Sequence, residues 1–140
     1  MKIYCGIDPG KTGSAAFLHG REVWFRDTSE IGATDFEWIE MFICVEKAQA
    51  MPKQGVVSMF NYGVEYGKII GILKALNKSF AEIRPILWKK EFSLIHQPKE
   101  RSIDIAKQLF PQIGDQLKLK KHHHRADALL LCEYGRRKNM

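Results

Sequence analysis

The 140-residue chain has little that would cross-link it, anchor it or divide it. Its three cysteines, Cys5, Cys44 and Cys132, stand far apart with no Cys-x-x-Cys spacing, each in an apolar run where a small buried thiol is expected. That pattern predicts neither disulfides nor a zinc knuckle. No stretch approaches the ~20 apolar residues that a membrane span needs, and one Lys2 ahead of a short apolar strand is not a secretion signal. A cytoplasmic protein with no membrane partner is expected. There is no repeat, low-complexity tract or linker, so residues 1–140 are expected to form one domain.

What is abundant is positive charge. Lysine and arginine number 22 against 16 acidic residues, a net charge of +6. The excess gathers in "LWKKEF" (87–92), "LKLKKHHHRA" (117–126) and "YGRRKNM" (134–140), mostly in the C-terminal half. Clustering of this kind suits a face that binds a polyanion better than it suits solubility alone.

The order of elements follows from periodicity and turn residues. Residues 1–7 and 14–18 read as strands joined by a Pro-Gly turn, and His19-Gly20 separates a third strand over 22–26. One or two helical turns over 35–41 precede a buried fourth strand that ends at Glu46. Helical spacing over 57–76 is interrupted by Gly63, Gly67 and Gly71, which share one face. Each glycine costs about 1 kcal/mol in a helix interior, so close packing against the sheet or another helix is expected there. A fifth strand over 80–86, a helix over 100–110 and a last helix over 124–135, stopping at Gly135, complete the chain.

Asp8-Pro9-Gly10 by itself is ordinary turn chemistry. The fourth strand changes that reading. If a crossover lays it beside the first strand in parallel, the ends of the two strands coincide about 4.8 Å apart, and Asp8 and Glu46 stand side by side. Two such carboxylates repel when ionised and need a compensating charge. A hard divalent cation, Mg²⁺ or Mn²⁺, supplies it. In "HHHRADALLL" His124 and Asp127 lie three apart on one side of a helix, with Asp127 among apolar neighbours that disfavour an unpaired charge.

Three segments, "GIDPGKTG", "VEKAQA" and "HHHRADALL", in that order and spacing, resemble the RuvC family of Holliday junction resolvases, with small phage-encoded members the nearest comparison by size. The resemblance runs from Ile3 to about Arg137 and includes "RPILWKKEF", similar to a basic segment after the family's fifth strand. It implies an RNase H-like α/β fold: a mixed five-stranded sheet, a three-strand antiparallel meander plus two parallel strands, flanked by helices. It also implies a homodimer in a bacterial cytoplasm or phage-infected cell, cutting opposed strands of four-way or branched DNA with two Mg²⁺ or Mn²⁺ ions per site; the glycine face over 57–76 is a candidate for the dimer contact, which packing on its own sheet explains equally well. Asp8, Glu46 and Asp127 match the family's carboxylates. His124 matches a position held by aspartate or histidine, as a ligand or a group orienting the attacking water. Lys89, Lys90 and Lys99 match its basic DNA contacts, which Lys11, Lys53, Lys120 and Lys121 are expected to join.

One departure concerns the aromatic that relatives commonly carry three residues after the fourth-strand glutamate. Here that position is Gln49, and Met51 is the candidate apolar wedge into DNA. Two other substrates fit the same chemistry, flaps and RNA–DNA hybrids, and a non-catalytic junction-binding protein fits the charge. "GIDPGKTGSAAF" also resembles the first phosphate loop of actin-like and sugar-kinase ATPases. Those close two domains over a nucleotide, and with no second glycine-rich motif no nucleotide cofactor is expected.

Overall fold

A computed structural model describes residues 2–10, 12–47 and 55–138. Strands β1 (Ile3–Asp8), β2 (Ser14–His19) and β3 (Glu22–Asp27) form an antiparallel meander. Strands β4 (Met41–Glu46) and β5 (Phe80–Ile83) extend it in parallel from β1, giving the order β3-β2-β1-β4-β5. This is the mixed five-stranded sheet expected from the sequence. Helix α1 (Val56–Ala75) lies in the β4–β5 crossover, and α2 (Pro85–Glu91), α3 (Arg101–Leu109) and α4 (His123–Arg137) follow β5. Among the described residues no helix is long and apolar enough to cross a membrane.

Central strands covered on both faces read as continuous apolar runs. On one face Ile3, Cys5, Ile7, Phe17, Ile43 and Val45 pack with Phe36 and with Ile69 and Leu73 of α1. On the other, Ala16 and Cys44 meet Leu129, Leu130 and Leu131 of α4, with Ile103, Ala106 and Trp88 beyond. Helix α4 sits directly on the sheet: a Cβ at Gly6 would overlap the Ala128 carbonyl oxygen and lie 2.5 Å from the Cys132 nitrogen.

Several boundaries differ from the expected ones. The segment before β4 is a 3-10 turn over Ala33–Phe36, closed by Gly32 N–H donating to Asp35 Oδ2 at 2.9 Å, and Met41 already belongs to the ladder opposite Ile3. Strand β5 stops at Ile83 because Pro85 opens α2; proline fits the first helical turn and holds the preceding Arg84 extended. Gly135 does not end the last helix, which runs on to Arg137; a Cβ there would lie 2.7 Å from Cys44 Sγ, so the glycine serves helix–sheet approach. The three glycines of α1 do not make the close approach to the sheet that was one of the two expectations for them. A Cβ at Gly63, Gly67 or Gly71 would meet nothing within 4 Å, so they pack on no other part of the described chain.

Candidate active site

The register of β1 on β4 pairs Ile7 with Val45, which puts Asp8 and Glu46 next in line at the same end of the sheet. Beyond Asp8 the chain turns sharply, with Gly10 at φ 130°, a backbone conformation that strains other residues. Thr28 holds this turn from outside, its hydroxyl donating to the Gly10 carbonyl at 2.6 Å.

Helix α4 brings the remaining groups. His124 Nδ1 lies 3.2 Å from Asp8 Oδ2, and its Nε2 lies 3.3 Å from Thr12 Oγ1. A proton on Nδ1 donated to the carboxylate, with the threonine hydroxyl donating to Nε2, satisfies both contacts at once. Asp127 does not pair with His124. Its nearest basic neighbour is His123, one helical turn back, with Nδ1 3.7 Å from Oδ2 and no closed hydrogen bond. The His123 and His124 rings are 3.9 Å apart between centroids.

The electrostatics are those of crowded carboxylates. Burial pushes Asp8 up from the usual carboxylate range, opposed by the His124 hydrogen bond and reinforced by the charge of Asp127. Glu46 is pushed up to about 8, first by burial and then by the charges of Asp8 and Asp127. Lys89 and Trp88 pull Glu46 the other way. The Trp88 indole Nε1 is itself buried with no hydrogen-bond partner among the described residues, so it counters little of the crowding. Asp8 holds His124 above its usual value, and burial with the charges of Glu46 and Asp8 raises Tyr62 and keeps its phenol neutral.

Asp8, Glu46 and Asp127 are thus close enough to feel one another's charge, at one end of the sheet. Among the described residues no three histidine, cysteine or acidic side chains already form a metal cage. The donor set nonetheless fits a hard divalent cation: it offers three carboxylates whose mutual repulsion a cation relieves. Lys89 lies near enough to Glu46, and Lys99 near enough to His124, to shift them. Lys89 and Lys90 stand on α2 rather than in a loop, and Lys120 and Lys121 form a 3-10 turn before α4. Lys11, Gln49, Met51 and Lys53 lie outside the described residues.

Sequence reasoning missed Thr12, Tyr62, Trp88 and His123. Thr12 carried a signal, since it belongs to the same "GKTG" turn as Asp8. Tyr62 carried none: its ring lies 3.7 Å from where a Gly10 Cβ would stand, a contact between segments far apart in the chain.

No protein-family model and no curated protein matches the chain. Solved structures do. RuvC of Thermus thermophilus in complex with a Holliday junction substrate matches with a TM-score of 0.62 at 16% identity, over 99% of this chain and 96% of that one. A second Thermus thermophilus RuvC structure matches with a TM-score of 0.61 at 16% identity, over 98% and 96%. The likeness is one of fold, and the mixed sheet with its helices is the RNase H-like arrangement of RuvC.

Proposed function

We propose that this chain, built on the RuvC fold, is a metal-dependent, structure-selective endonuclease that resolves four-way and branched DNA by paired phosphodiester cleavage. One observation carries the reading: Asp8 and Glu46 stand at adjoining strand ends with Asp127 near enough for its charge to act on both. The fold shared with a RuvC–junction complex over nearly the whole chain supports the substrate class.

A phosphodiester resists attack through its own negative charge, so hydrolysis needs an activated water and neutralisation of the charge that develops. Mg²⁺ or Mn²⁺, as two ions held by Asp8, Glu46 and Asp127, would supply both. His124 keeps its Nδ1 proton on Asp8, so Nε2 is the atom that can orient the attacking water or take its proton once Thr12 yields. Lys89, whose charge reaches Glu46, and Lys99, whose charge reaches His124, would hold the backbone without reading sequence.

Cutting two opposed strands calls for two sites in a symmetric dimer. Support comes from α1, whose outward side carries Val57 at 73% and Phe60 at 70% exposure, with Val64 and the uncovered Gly63 and Gly67 along the same helix. An exposed apolar stripe of this kind suits a second copy of the same helix. Within this reading residues 1–140 act as one nuclease domain.

The deciding experiment is cleavage of a labelled synthetic four-way junction beside duplex, flap and RNA–DNA hybrid controls, with Mg²⁺, Mn²⁺ or EDTA, for wild type and Asp8→Asn. Paired nicks on the junction alone, abolished by chelation and by the substitution, are expected. Nicking of flaps or hybrids instead keeps the chemistry and replaces the substrate. Tight junction binding without cleavage in either metal sinks the nuclease and leaves a junction-binding protein.

A further inference from the structure

Beside the carboxylates lies a cleft that shares Thr12 and His124 with them and whose remaining lining the proposed chemistry does not use. A cleft of about 430 Å³ opens between the β1–β2 turn, the segment after β3 and the start of α4. Thr12, Asp27, Ser29, Lys121, His122 and Arg125 line it. So does His124, whose ring touches Asp8, so the cleft and the carboxylate group share one wall.

The donors in this cleft are arranged in advance. The Leu119 backbone N–H donates to His122 Nδ1 at 3.2 Å, which makes the ring neutral with its proton on Nε2, a donor only. Arg125 donates through one terminal nitrogen to the Gln116 carbonyl at 2.9 Å, and its guanidinium lies 5.9 Å from the centre of the Phe25 ring. Those contacts fix the guanidinium and leave its other N–H groups for a ligand. Lys121 adds a second permanent cation, while Asp27 is the one carboxylate among the described lining residues. With two permanent cations against one carboxylate, the lining carries an excess of positive charge, which suits a phosphodiester.

We propose that this cleft is a phosphate subsite that holds, through Lys121, His122 Nε2–H and Arg125, the phosphodiester adjacent to the scissile one in the strand being cut. The inference rests on the nuclease reading above. A phosphate seated here places its neighbour across the His124 ring, at the carboxylates. The subsite therefore fixes the polarity and register of the cut strand, and it adds affinity without base preference.

The test is a methylphosphonate scan, in which each phosphate flanking the cut in a synthetic junction is made neutral in turn. Binding is read with Ca²⁺ and single-turnover cleavage with Mg²⁺. For wild type, neutralising one adjacent phosphate on one side of the cut is expected to weaken both by about tenfold. Lys121→Ala and His122→Ala should bind the unmodified junction correspondingly less well and lose that position-specific sensitivity, and Lys121→Arg should restore it. Retention of full sensitivity by both alanine variants, or a wild type equally affected at every position, overturns the subsite while leaving the nuclease intact. A wild type that binds with the phosphate signature but never cleaves overturns the nuclease reading and keeps the subsite as a strand-binding cleft. A wild type that neither binds nor cleaves the junction overturns both.

Discussion

Gly6 of β1 lies against the carbonyl oxygen of Ala128 in α4, so closely that no side chain fits between them. Ala128 follows Asp127, and Asp8 stands two residues after Gly6. The packing contact that seats α4 on the sheet is therefore also what fixes the separation of Asp127 and His124 from Asp8.

Gly6→Ala should be strongly destabilising, because the clash is with backbone that cannot swing aside. Overpacking of this kind costs on the order of 3 kcal/mol, or prevents folding. Gly67→Ala, where an added Cβ meets nothing within 4 Å, should leave the monomer unchanged or stabilise it by roughly 0.5–1 kcal/mol. Denaturant midpoints of the two variants check the contrast, and equal losses at both positions contradict this packing.

Thr12→Val removes the hydroxyl 3.3 Å from His124 Nε2 while keeping the side-chain volume. If that hydroxyl only orients the ring, cleavage should fall by roughly tenfold, whereas His124→Ala should cost about 10²–10⁴-fold, the range of a lost acid–base group. Single-turnover rates on a junction, with circular dichroism to confirm the fold, separate the two. A Thr12→Val loss as large as that of His124→Ala would assign the threonine a direct part in the chemistry.

Much of this site was legible because it lies where simple periodicities end. Alternating and continuous apolar runs place β1 and β4, the crossover rule makes them parallel, and Asp8 and Glu46 close them. His124 and Asp127 stood out by their spacing and by the apolar neighbours of Asp127, but their roles needed the family resemblance, since a His-rich stretch before an apolar helix is ordinary on its own. The partners of His124 were not legible: Asp8 and Thr12 lie 116 and 112 residues away, and nothing local specifies that α4 returns to β1 rather than to another strand. Helix spacing likewise paired His124 with Asp127, whereas the fold turns His124 to Asp8 and leaves His123 beside Asp127. The α1 glycine face leaves contact with the sheet and contact with a second copy equally open in the sequence, which shows a small-residue face without showing which side of the helix the sheet takes.

Lys89 should contribute to DNA affinity through charge alone. Binding measured across a salt series should weaken linearly on a log–log scale, and Lys89→Ala should reduce the magnitude of that slope by about one. An unchanged slope would place Lys89 off the DNA path despite its position beside Glu46.

The α1 stripe makes a prediction about assembly that is independent of catalysis. Phe60→Glu puts a charge on an exposed apolar position, so it should leave monomer stability within about 0.5 kcal/mol of wild type. If the stripe joins two copies, sedimentation should show a dimer for wild type and a monomer for the variant. The monomeric variant should then release single nicks from a junction in place of paired ones. A wild type that sediments as a monomer at tens of micromolar, alone and on DNA, removes the dimer.

The acidic cluster ties stability to pH in a direction opposite to that of an ordinary salt-bridged carboxylate. Glu46 titrates near 8 in the folded protein against 4.5 when free, so below pH 4.5 it is neutral in both states and has no effect. Between 4.5 and about 8 the unfolded chain releases this proton while the folded one retains it, and raising the pH favours unfolding. Asp8 is shifted the same way, and His124, held up by Asp8, also loses its contribution as pH rises. The metal-free protein should therefore lose on the order of a few kcal/mol across this window. Glu46→Gln, which carries no charge to expel, should flatten much of that loss. Mg²⁺ or Mn²⁺ should restore wild-type stability increasingly toward pH 8, as the cation takes the place of the protons, and should not rescue Glu46→Gln to the same degree. Thermal melts from pH 4.5 to 8.5, with EDTA or with metal, test all three arms. A metal-free wild type that becomes more stable as the pH rises would show that these carboxylates are compensated within the chain and await no cation.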